Sequence, residues 1–210
     1  MTLPRLHLVT SDEVLRGAGF EDAAARVIEA CGPAAAVHLR GHGLTGGALY
    51  AMAERLAPIA ARTGTPVLIN DRVDVALATG VAGVQLGRRS LPVAEARRLL
   101  GVDARIGYSA HALDEASEAE RAGADFVVLG TIFPTPSHAG DPGAGPELVR
   151  TTVQAVRAPV IAIGGITPER VGLMRDAGAY GVAVLGGVWR AADPAEAALR
   201  YLDALEEGTK

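Results

Sequence analysis

What most constrains the fold of this chain is a repeated alternation. Eight short apolar or β-branched runs, Leu6–Thr10, Ala36–Arg40, Val67–Asn70, Gly83–Leu86, Arg105–Ser109, Phe126–Leu129, Val160–Ile163 and Gly181–Leu185, are separated by Ala- and Leu-rich stretches of helical period. Strands that alternate with helices build a parallel sheet covered on its faces. The runs are spaced roughly as the ~30-residue strand–helix–strand module requires. Eight such units in 210 residues predict an α/β fold, a (β/α)8 TIM barrel, as a single domain over 1–210. A doubly wound open sheet is the competing arrangement. However, no Ser/Pro linker divides the chain, and no Gly-x-Gly-x-x-Gly follows the first run, where a dinucleotide-binding sheet carries it.

The helices carry start signals of their own. Thr167-Pro168-Glu169-Arg170 and Asp193-Pro194 each put a capping residue before a proline at the first helical position, and Ser90-Leu-Pro92 and Asp114-Glu115 open two further helices. One long irregular stretch, Pro134 to Pro146, is rich in Pro and Gly and follows the sixth strand, where a compact barrel keeps functional lids.

Composition narrows the function. With 49% hydrophobic residues and a net charge of -4, and with Lys and Arg scattered along the chain, the surface has no basic face for nucleic acid or anionic membrane. Cys31 stands alone, so it makes neither an internal disulfide nor a metal cluster, and it reads as a buried helical thiol. The first residues lack a signal-type apolar segment, and no run approaches the ~20 apolar residues that span a bilayer. A cytoplasmic protein is expected.

Two strands run into diglycines, Gly164-Gly165 after the seventh and Gly186-Gly187 after the eighth. Glycine admits φ > 0 and lets backbone N–H groups approach a ligand closely, and the loops after strands seven and eight are where barrels of this class hold phosphate. The plain alternative is a pair of tight turns. Alternation along the strands aims His38 and Arg40 at one face, with Arg40 suited to an anionic group. Asn70-Asp71 ends the third strand at the edge where barrel enzymes keep their chemistry, Gln85 points inward from the fourth, and Ser109 and His111 end the fifth. Asp71 is a candidate for metal binding, proton transfer or helix capping.

All five histidines (His7, His38, His42, His111, His138) fall in strands or in the loops that follow them. Their ordinary pKa makes His38, His111 and His138 candidates for acid–base work, against the plain reading of structural or surface histidines. Their spacing makes no zinc site, so a metal, if used, is Mg²⁺ at Asp71 bridging substrate phosphates.

Leu6-His-Leu-Val-Thr10, His38-Leu-Arg40, Ile69-Asn70-Asp71-Arg72-Val-Asp74, Gly83-Val-Gln-Leu-Gly87, Gly107-Tyr-Ser109-Ala-His111, the segment from Ala124 to Thr135 and that from Ala162 to Arg170 together resemble the thiamine-phosphate synthase and TenI superfamily over nearly the whole chain. The resemblance implies phosphate binding by Ser137, Gly164, Gly165, Leu185, Gly186 and Gly187, and ring contacts by Arg40, Asn70, Ser109, Thr131 and Thr135. It implies a phosphorylated thiazole as the small-molecule partner, with a homodimer as one quaternary arrangement.

Three positions depart from the synthase pattern. Its Gln-x-Arg-x-Lys reads His38, Arg40, His42; its second magnesium carboxylate aligns with Ser90; and its lid lysine aligns with His138. Fewer charges of this kind mean less stabilisation of a departing pyrophosphate. The branch expected from these departures is the TenI type: an isomerase acting as a thiazole tautomerase, without cofactor, with Thr131 where that enzyme has a histidine. The alternatives are a Mg²⁺-dependent thiamine-phosphate synthase, a transferase, and a non-catalytic binder of a phosphorylated ligand.

Overall fold

The computed structural model describes residues 2–136 and 140–207. Its strands are β1 (Leu6–Val9), β2 (Ala35–Leu39), β3 (Val67–Asn70), β4 (Gly83–Leu86), β5 (Arg105–Ala110), β6 (Phe126–Leu129), β7 (Val160–Ile163) and β8 (Gly181–Val184). All pair parallel, each with its sequence neighbour, and β8 returns to β1 with Leu6 opposite Val182 and Leu8 opposite Val184. That ladder closes the barrel and excludes the open sheet. Four of the eight apolar runs coincide with their strands residue for residue. Of the remaining four, three differ by one residue at one end and the second is shifted by one residue at both, where the hydrogen-bond ladder starts or stops independently of the apolar pattern.

The helices are α1 (Asp12–Arg16), α2 (Phe20–Cys31), α3 (Gly46–Thr63), α4 (Val73–Thr79), α5 (Val93–Leu100), α6 (Leu113–Arg121), α7 (Pro146–Ala155), α8 (Pro168–Asp176), α9 (Gly186–Trp189) and α10 (Pro194–Glu206). Asp193 caps α10 as its sequence predicts, accepting from the amides of Ala195 and Glu196. Ser90 does not cap α5, which begins at Val93 behind Pro92. Its hydroxyl is used at the barrel mouth instead. Among the described residues no helix is long and apolar enough to cross a membrane.

Because successive strand residues face opposite ways, the barrel has two apolar layers. The inward set, Val9, Ala36, Leu68, Phe126, Val128, Ile161 and Ala183, fills the lumen. The outward set, among them Leu8, Leu39, Ile69, Leu86, Ile106 and Leu129, is buried against the helices; each such side chain contributes roughly 1.5–3 kcal/mol of burial. Gly107 makes the lumen packing possible: a Cβ there would lie 2.2 Å from Gln85 Oε1 and 2.3 Å from Phe126 Cζ. Cys31 ends α2 inside the outer layer, where burial pushes its thiol up to about 11 and leaves it inert at neutral pH.

Candidate active site

The strand C-termini converge at one mouth, and its two sides are built differently. On the β2–β4 side the functional groups are side chains. Thr10, just past β1, accepts from the Arg40 amide at 2.8 Å and donates to the His38 carbonyl at 3.0 Å, so it fixes the backbone where β2 ends. Arg40, just past β2, and Arg88 and Arg89, just past β4, take part in no ion pair among the described residues, so the segments flanking the end of β3 carry three cations open to an anionic ligand.

Asp71 sits between them at φ 65, the only non-glycine residue with positive φ among those described. Its amide donates to the Gln85 carbonyl at 2.9 Å. Its carboxylate accepts from Ser90 Oγ at 2.5 Å and lies 3.4 Å from His42 Nδ1. The capping role considered for Asp71 is not realised: the residue before α4 is Arg72, and the Asp71 carboxylate turns away from that helix. Ser90, at the position where the synthase resemblance puts a second carboxylate, does lie against Asp71. Among the described residues no group of three or more His, Cys, Asp or Glu is arranged around a metal position. The residues nonetheless fit Mg²⁺, which binds through one or two carboxylates and takes its remaining oxygens from substrate phosphate and water.

Gln85 continues the row, donating to Ser109 Oγ at 2.9 Å. His111 stands at the rim, tied to Glu115 at 3.4 Å and largely solvent-exposed.

On the β7–β8 side the candidate groups belong to the backbone. Gly164 and Gly165 take φ 104 and 61, which glycine alone adopts without strain. They also lie so close to the loop after β6 that a Cβ would meet Thr131 Cγ2 at 2.7 Å and the Pro134 carbonyl at 2.6 Å. The second diglycine departs from expectation, because Gly186 and Gly187 keep negative φ and open the short helix α9 behind Leu185. Their amides head that helix and have no acceptor within it. What requires glycine at 187 is Tyr201 of α10, whose hydroxyl would lie 2.2 Å from a Cβ there and which donates to the Ile166 carbonyl at 3.0 Å. Tyr201 thus ties the loop after β7 to the loop after β8. Arg170 of α8 braces the same region by donating to the Gly165 carbonyl at 2.7 Å while stacking 4.5 Å over the Phe133 ring. Neither brace was assigned a role from the sequence. Arg170 sits in the first turn of a helix behind Thr167-Pro168, and Tyr201 looks like any buried aromatic of an amphipathic helix.

The histidine candidates separate. His38 is 0% exposed, enclosed in the lumen with its ring nitrogen 2.8 Å from His7. Burial, then the neighbouring His7, hold its pKa well below the ordinary value, so it does not take up a proton near neutral pH. Its place in the strand was legible; its depth was not. Ser137 and His138, expected in phosphate binding and proton transfer, lie outside the described residues. Thr131 and Thr135 are half-buried in the loop after β6, and Thr131 lies beside Gly164.

The chain as a whole is matched by known proteins. The chain matches the family described as thiamine monophosphate synthase over residues 6–188. It belongs to that family. Its similarity to the thiamine-phosphate synthase of Chlorobium luteolum is 46% identity over 180 residues, 85% of this chain and 84% of that one. The thiamine-phosphate synthase of Shouchella clausii is 37% identical over 208 residues, 98% of each chain. Among solved structures, a thiamine phosphate pyrophosphorylase from Pyrococcus furiosus superposes with a TM-score of 0.85 at 30% identity, covering 98% of both chains.

These findings correct the expectation of a TenI-type isomerase acting as a thiazole tautomerase, since the relatives carry the name of the synthase, a transferase. The physical reason lies in the mouth. The departures at His42, Ser90 and His138 read as lost charge in the sequence, whereas Arg40, Arg88 and Arg89 are in no ion pair among the described residues and Ser90 is engaged with the Asp71 carboxylate.

Proposed function

We propose that this chain is a thiamine-phosphate synthase that joins hydroxymethylpyrimidine diphosphate to thiazole phosphate with loss of pyrophosphate. The observation that carries the reading is the asymmetry of the mouth: Arg40 just after β2 and Arg88 and Arg89 after β4, in the segments on either side of the Asp71 carboxylate that follows β3, opposite glycine-rich turns after β7 and β8. A polyanionic pyrophosphate leaving group suits the first and a single phosphate monoester suits the second. Asp71 would hold Mg²⁺, with Ser90 and His42 orienting its carboxylate; the ion supplies neutralisation of the charge that grows on the departing pyrophosphate.

Arg40, Arg88 and Arg89 add fixed positive charge on the same side, where it stabilises the transition state more than the ground state. Gly164, Gly165, Gly186 and Gly187 bind the thiazole phosphate through amides, Ser137 adds a hydroxyl, and Thr131 and Thr135 border the ring. Asn70 and Ser109 face the pyrimidine. The enzyme requires no proton shuttle of the tautomerase kind, in keeping with a His38 that stays neutral.

The test is pyrophosphate release by purified protein given both substrates, with Mg²⁺ and with excess chelator. Coupling with the metal and none without it is expected. No thiamine phosphate in either tube would sink the reading.

A further inference from the structure

Two buried histidines form a polar file that the reaction does not consume. His7 Nε2 lies 3.0 Å from the Pro4 carbonyl, and His7 Nδ1 lies 2.8 Å from His38 Nε2. A carbonyl only accepts, so His7 carries its proton on Nε2. Both rings are neutral: burial lowers the His7 pKa to about 4 and holds that of His38 well below its ordinary value. A neutral imidazole has one N–H, so His7 Nδ1 is bare and must accept from His38 Nε2–H. That uses the single proton of His38, and its Nδ1 is left as a buried acceptor in need of a donor.

On the neighbouring strand β3, whose Leu68 lies opposite His38, the next inward side chain toward the mouth is the Asn70 amide. With the amide oxygen turned inward, both His38 Nδ1 and Asn70 Oδ1 are acceptors buried without a partner. With the NH₂ turned inward, His38 is satisfied and the oxygen moves to the open side. Oxygen and nitrogen of an amide are interchanged by that rotation without moving anything else, and the hydrogen-bond network decides between them.

We propose that His7 and His38 are positioning residues that lock the Asn70 amide with its carbonyl oxygen toward the mouth, as the acceptor for an amino or ring N–H donor of the ligand. The directional file runs from the Pro4 carbonyl at the closed end of the barrel to the substrate ring, and each member's polarity is dictated by the one below it. It makes the β2–β3 side selective for an aminated heteroaromatic ring over one that offers only a lone pair. Under the synthase reading, on which this last step rests, that ring is the aminopyrimidine and not the thiazole.

The test compares two variants. His38→Gln keeps an N–H for His7 and a carbonyl for Asn70, whereas His38→Leu keeps bulk and removes both. The expected result is a KM for the pyrimidine diphosphate within about twofold of wild type for His38→Gln and roughly tenfold higher for His38→Leu, with the KM for thiazole phosphate unchanged in both. Equal effects of the two variants would overturn the proposal.

Wild-type protein labelled with ¹⁵N-histidine provides a reading that depends on neither activity nor a variant's folding. Both buried rings should appear as Nε2–H tautomers, with a nuclear Overhauser contact from the Asn70 NH₂ to the His38 ring. A His38 protonated on Nδ1 would refute the locked amide. If wild-type protein fails to couple the substrates while the tautomers are as expected, the synthase reading falls and the positioning file stands.

Discussion

The two sides of the mouth make an instructive pair. At β2–β4 the groups offered to a ligand are side chains, held by other side chains: Asp71 by Ser90 and, at the longer distance, His42, and Ser109 by Gln85. At β7–β8 the proposed ligand groups are backbone amides, and the side chains present, Tyr201 and Arg170, hold loops and not ligand. Substitution on the first side removes a chemical group, whereas on the second it can act only by displacing the backbone. The first should therefore respond in kcat and metal dependence, the second in phosphate KM and stability.

The sharpest separation comes from Asp71→Asn, which keeps size and removes charge. It should lower kcat at least about 10²-fold and abolish the response to Mg²⁺ while leaving Tm within a few degrees. A variant that retains half its activity would erase the distinction drawn between the two sides.

Next in size is the pH dependence of stability contributed by buried His7 of β1. The His7 pKa is depressed from its ordinary 6.5 to about 4, so the unfolded chain takes up the proton first. Stability from this residue is complete above pH 6.5 and is lost as pH falls toward 4, by ~3 kcal/mol at the acid end. Denaturant unfolding between pH 7.5 and 4.5 measures it, and His7→Phe should flatten the curve.

On the other side, Gly187→Ala drives a methyl into the Tyr201 hydroxyl and should cost about 1–3 kcal/mol with a raised KM for thiazole phosphate. Combining it with Tyr201→Phe, which removes the atom 2.2 Å away, should recover part of that loss, so the pair is non-additive. The smallest effect is Tyr201→Phe alone. It leaves the Ile166 carbonyl without its donor, for about 1 kcal/mol of stability and little change in kcat.

Much of the fold could be read directly, because a parallel barrel writes each strand as an apolar run between polar or glycine-rich ends. Val67–Asn70 and Val160–Ile163 needed nothing from elsewhere in the chain to be delimited. The site was legible by side and not by depth. Alternation puts His38 on the inward face, as found, but alternation has no scale along the barrel axis, and one layer separates a solvated acid–base group from an enclosed one.

Contacts across long separations were out of reach for another reason. Ser90 reads as a helix start by local pattern, yet its hydroxyl is taken by Asp71, 19 residues earlier, and a tertiary partner outweighs a local cap. Tyr201 reaches Ile166 across 35 residues through the facing of one helix, which no local signal specifies.

The closed ladder has a consequence for the life of the chain before it is folded. Segments such as Phe126–Leu129 and Val160–Ile163 are short, uncharged and rich in β-branched or aromatic residues, the composition that pairs readily with strands of other molecules. In the finished barrel no strand has a free edge, since β8 covers β1. That protection arrives only with the last pairing, which joins residues near opposite ends of the sequence, and contacts so distant form late. Until then β1 and β8 each present an open edge, so the hazard of aggregation belongs to the interval before closure, and conditions that lengthen that interval should lower soluble yield without any change in the folded protein.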